Sequence, residues 1–115
     1  MSQQSNPILA LTATLSGTVA ANRFVTPAGA QAGADANTLG VARTAGVSGD
    51  RIAVDVLGTA IVEAGAAVAA GATVKADSSG RAITWVSSGA KVGLALQSAG
   101  AAGAMIEVLL IPNVA

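Results

Sequence analysis

The chain has 115 residues, enough for one domain that buries about 65% of the surface its unfolded form exposes. It is 52% hydrophobic but only 2% aromatic, and its six basic and six acidic side chains cancel, so no basic face exists to neutralise a phosphate backbone and nucleic-acid binding is not expected. Cysteine and histidine are both absent, which removes disulfides, thiolate metal sites and the commonest general base together.

Residues 2–7 (SQQSNP) are polar and uncharged, and Pro7 disfavours helix in the residue before it. This predicts a flexible arm over residues 1–7, disordered or laid on a neighbour, with residues 8–115 forming a single β-domain. Ser2, Gln3, Gln4, Ser5, Asn6 and Pro7 are accordingly candidate partner contacts. The apolar stretch 8–21 invites comparison with a signal peptide. It has no positive n-region, however, and Thr12, Thr14, Ser16 and Thr18 alternate with Ala13, Leu15, Gly17 and Val19. An extended segment is the reading, not an export signal.

Residues 23–26 predict a short strand. Residues 27–37 (PAGAQAGADAN) have no periodicity and read as a surface loop, either mobile or touching a partner. Their glycines fit neither dinucleotide-binding nor P-loop spacing. Residues 39–43 and 51–57 are the next strands, joined by a turn at 46–50. In the second, Ile52, Val54 and Val56 oppose Arg51, Ala53, Asp55 and Leu57.

The stretch 58–80 (GTAIVEAGAAVAAGATVKADSSG) reads as strand, turn, strand, turn, strand. Its alanines could favour a helix, but Gly65 and Gly71 bracket a window too short to nucleate one, leaving room for at most a single turn. Asp77, Ser78, Ser79 and Gly80 supply the side-chain oxygens and the glycine of a hairpin loop, so a hairpin into residues 81–84 follows. Residues 81–86, 91–98 and 105–111 are the remaining strands, the last stopped by Pro112. Nothing reaches the roughly 18 consecutive apolar residues of a membrane span. Seven to nine short strands with glycine-rich connections spell an all-β sandwich or small barrel.

No catalytic, metal or cofactor site emerges. Asp50 and Asp77 are turn residues, and Asp55 is a strand residue facing solvent or an ion partner such as Arg51. The serines have no histidine to activate them. Trp85 and Phe24, the two rings, are each either a core plug or an interface residue, and both are kept as candidate contacts. Much of the apolar content is alanine, which buries little area. The core must be thin, and a homo-oligomer, a trimer for preference, would bury more.

The order Gly40-Val41-Ala42, Gly49-Asp50, the stretch 58–80, then Val92-Gly93-Leu94-Ala95-Leu96 and Ile106-Glu107-Val108-Leu109-Leu110 resembles the small capsid cement or decoration proteins of tailed bacteriophages. The resemblance runs over residues 38–111. It implies a compact β-domain on the outer surface of the assembled head, commonly a trimer, that reinforces contacts between major capsid proteins against the pressure of packaged DNA. No catalytic residue comes with it. The alternative from composition is a β-structured adhesion or carbohydrate-binding module, which would have only Trp85 and Phe24 on which to stack a sugar.

Overall fold

A computed structural model describes residues 5–111. Eight strands follow in order: β1 (Pro7–Thr14), β2 (Phe24–Val25), β3 (Gly40–Ala42), β4 (Arg51–Glu63), β5 (Thr73–Ala76), β6 (Ala82–Thr84), β7 (Gly93–Ala95) and β8 (Met105–Leu110). The described residues contain no helix. The strands pair antiparallel in the order β2-β3-β4-β8-β7-β5-β6, with β1 on β4 outside that path. The path bends back on itself just beyond β4, where Ala64 pairs with Ala82 and the Gly65 N–H donates to the Ala82 carbonyl at 2.8 Å. The sheet is thus an almost closed barrel.

Strand β4 organises it. Ile52, Val54, Ala60 and Val62 point inward at a period of two and are buried, which makes β4 a wall of both apolar clusters. One cluster gathers Phe24, Val41, Val62, Val74, Val92, Ile106 and Val108 with many alanines. The other gathers Leu15, Val19, Val25, Ile52 and Val54. Phe24 is the only ring in either, so the barrel is filled by valine and alanine, as the composition requires.

Three expectations need correction. Residues 51–57 and the strand after Gly58 are one unbroken strand: Gly58, at φ +96°, takes up a register shift against β1 where a side chain would run into the Asn6 carbonyl. Residues 65–72 hold neither the predicted middle strand nor a helical turn. Beyond Gly65 the segment is held by single contacts, Val68 exchanging hydrogen bonds with Ala99 at 2.9 and 2.8 Å and Gly71 donating to Ala95 at 2.7 Å, because a run of alanines offers little to pack on a sheet face. Asp55 is buried and its partner is Arg43, not Arg51. Strand β3 lies along β4 with Val41 opposite Asp55, and Gly40 lets the β3 backbone come close against the Asp55 main-chain carbonyl.

The predicted hairpin is present. Val74, Lys75 and Ala76 face Thr84, Ile83 and Ala82, and the Asp77 carboxylate accepts the N–H groups of Ser79 and Arg81 at 2.8 and 2.9 Å. Gly80 closes the turn at φ +74°. An ion network ties this turn to the rest of the barrel. Glu63, at the end of β4, accepts from Arg23 at 3.2 Å and from Arg81 at 3.5 Å, Arg81 also reaches Asp77, and Arg23 donates to the Ser79 carbonyl at 2.9 Å. These side chains are mostly withdrawn from water, so the pairs are screened far less than surface ones.

Two measurements check this architecture. Far-ultraviolet circular dichroism is expected to show a β-dominated protein with little helix. Glu63→Ala leaves two guanidinium groups without their shared acceptor at the barrel's closure. It should cost about 1–3 kcal/mol and lower the melting temperature by at least roughly 5 °C.

Candidate docking surface

The described residues form no pocket, and no three of their carboxylates converge as a metal site. The acids predicted to sit in turns do so: Asp50 accepts the Val47 N–H at 2.9 Å, and Asp77 holds its own turn. With Asp55 and Glu63 engaged by arginines, these carboxylates hold structure together.

What the fold does present is an apolar strand laid open. Six of the eight residues of β1 in succession, Pro7 to Thr12, are exposed, while Ala13 alone is buried. Ile8 is 83% exposed and Leu9 and Leu11 are each 41% exposed. Leu11 lies opposite Val54 and Ala13 opposite Ile52, so the side of β1 that carries Leu11 prolongs the second apolar cluster beyond the body of the domain. Leu109, 38% exposed on β8, stands opposite Thr59, whose backbone pairs with Asn6. An uncovered strip of this kind on a small domain marks a contact surface.

Two residues assigned to the expected arm, Asn6 and Pro7, lie against β4. Asn6 exchanges two backbone hydrogen bonds with Thr59, both 3.2 Å, and also donates to the Thr59 hydroxyl at 2.9 Å. Pro7 opens β1 opposite Gly58, a first-strand position where a missing N–H is tolerated. Ser5 is exposed, with its hydroxyl 3.5 Å from the Thr59 carbonyl. Ser2, Gln3 and Gln4 lie outside the described residues.

The two aromatic candidates separate. Phe24 is fully buried, because its strand is covered by β3 on one side and by the residue 80 turn on the other, where its N–H donates to Gly80. It is the core plug of the two readings and cannot touch a partner. Trp85 is half-buried just after β6. Its indole N–H donates to the Gly89 carbonyl at 2.9 Å and the Lys91 ammonium sits 4.4 Å from the ring centroid, with Val86 exposed beside it. It lies at a rim, apart from the strands that carry the β1 strip. The open strand was within reach of sequence reasoning: Ile8, Leu9 and Leu11 are large apolar residues in a stretch without a charge. Alternation alone does not reveal that neither face would be covered.

The described residues thus form an almost closed barrel with one apolar strand laid open along its outside. The chain matches the family described as phage cement protein over residues 2–110. It belongs to that family, and is a structural protein of the phage head, at the capsid surface of the virion. The fold is similar to that of the crystal structure of the head fiber gp8.5 N base in bacteriophage phi29, with a TM-score of 0.72 and 20% sequence identity over 90% of this chain and 93% of that one. Among curated proteins no sequence match was found.

Phe24→Ala should be the costliest single truncation, about 3–5 kcal/mol, because it empties the one large volume in the core. Trp85→Ala should cost markedly less, and paired chemical denaturation curves check the order.

Proposed function

We propose that this protein binds the outer surface of the assembled head and cements neighbouring major capsid proteins. The observation that carries the reading is the open apolar strip of β1, in a chain of the phage cement protein family. A ligand that binds only the assembled shell stabilises it by RT ln(1 + [L]/Kd), about 2.7 kcal/mol per site at a hundredfold excess over Kd. Many such sites add along the shell, and an oligomer that touches several subunits at once gains further from effective concentration. A homotrimer suits this role and adds buried area to a core made of valine and alanine. Ser2, Gln3 and Gln4, polar residues that precede the β1 strip in the chain, are further candidate contacts with the capsid. The likeness to a head fiber base fits a domain that stands on a head.

Heating DNA-filled heads with and without the protein tests the reading. Decorated heads should release DNA at a higher temperature, and the gain should change little between low and high salt, because the strip is uncharged. Equal release temperatures would rule out cementing. Sedimentation of the free protein checks the trimer, which a purely monomeric species both free and on heads would exclude.

A further inference from the structure

Strand β1 has a second unmet demand besides its apolar side chains. The Ala53 carbonyl accepts the Arg43 N–H from the β3 side, at 3.1 Å, so the Thr12–Ala53 pair exchanges no backbone hydrogen bonds. The backbone N–H and C=O of Thr12 must then point away from β4, and by the same alternation so must those of Ala10. Among the described residues β1 pairs with β4 only. The open edge is bounded at one end, where the Ser16 N–H donates to the Gly29 carbonyl at 3.0 Å and that turn closes against Thr14.

Folded proteins commonly blunt such edges with lysine, bulges or inward charges. Here Pro7 and the register shifts on either side of Leu9 blunt only the start of the strand, while PILALTAT carries no charge at all and Ile8, Leu9 and Leu11 stand in water along it. Both the polar groups of the edge and its apolar side chains therefore fit an added strand.

The geometry points to β1 as an acceptor for an extended segment of the major capsid protein, which would add to the edge at Ala10 and Thr12 and lay alternate apolar side chains on Leu9 and Leu11. Charge favours this occupant over a second copy of β1. Arg51 is exposed, lies opposite Thr14 and takes part in no ion pair among the described residues. It calls for a carboxylate near the end of the added strand. A second β1 has none to offer, since the first acidic residue of the chain is Asp35. The inference rests on the cementing reading and names the way the contact is made.

The test uses the full-length protein and undecorated heads, with bound protein measured by co-sedimentation. Thr12→Pro deletes an outward N–H that β4 does not use and puts a ring across the edge. It should keep the native dichroism and oligomeric state and weaken binding to heads at least about tenfold, the loss of roughly one well-made contact. Arg51→Glu should weaken binding several-fold, an effect that high salt narrows. Hydrogen exchange on the unmutated protein gives an independent readout: the amides of Ala10 and Thr12 should exchange slowly on heads and quickly in the free oligomer. Folded Thr12→Pro protein that binds as well as wild type, or amides equally open on heads, would overturn strand addition while leaving cementing intact. A Thr12→Pro change that alters the oligomer and spares head binding would assign the edge to a second copy instead. Wild-type protein that does not bind heads at all would remove the cementing reading and this inference with it.

Discussion

Backbone hydrogen bonding along β4 is what the rest of the molecule depends on. Its first half is flanked by β1 and β3 together, and its second half pairs with β8 before the chain reaches Ala82 and closes the barrel. A strand of 13 residues that serves both apolar clusters has to curve, and the shift at Gly58 lets it do so without losing its inward rhythm. The pairing of β1 also follows from it, since Pro7 and Asn6 take their places from Gly58 and Thr59.

A barrel filled with valine and alanine has little apolar area to spare, and the structure compensates with directional contacts. Glu63, Arg23, Arg81 and Asp77 link the end of β4 to the β5–β6 turn, at the point where the barrel would otherwise gape. Arg43 and Asp55 do the same between β3 and β4. Half of the six acidic side chains, Asp55, Glu63 and Asp77, are spent on these links. A small body follows, and among the described residues Ile8, Leu9 and Leu11 gather exposed apolar surface on the strand that lies outside the barrel path.

That division suits a protein of the phage head. The barrel supplies a body whose apolar side chains are largely turned inward, and β1 carries exposed apolar side chains along its edge. Main-chain pairing asks little of the partner's sequence and tolerates a neutral surface, in keeping with a domain whose charges are mostly used internally.

Much of the fold was legible along the chain. Period-two alternation in residues 51–57 and the Asp77-Ser78-Ser79-Gly80 turn announced strands and a hairpin, because both signals are local: side chains alternate within one strand, and a turn is made by its own residues. The absence of histidine and cysteine ruled out disulfides and thiolate or imidazole ligands, and the order of glycines and valines over residues 38–111 pointed to the family. Tertiary structure alone decided the rest. Asp55 looked like a solvent-facing strand residue until β3 closed over it, and Gly58 looked like a break until the register of β1 required a bend there. Phe24 became core and β1 became surface for the same reason. Whether a side chain in a strand is covered depends on what lies across the sheet from it, and that partner is set by chain closure between residues tens of positions apart, which no local pattern records.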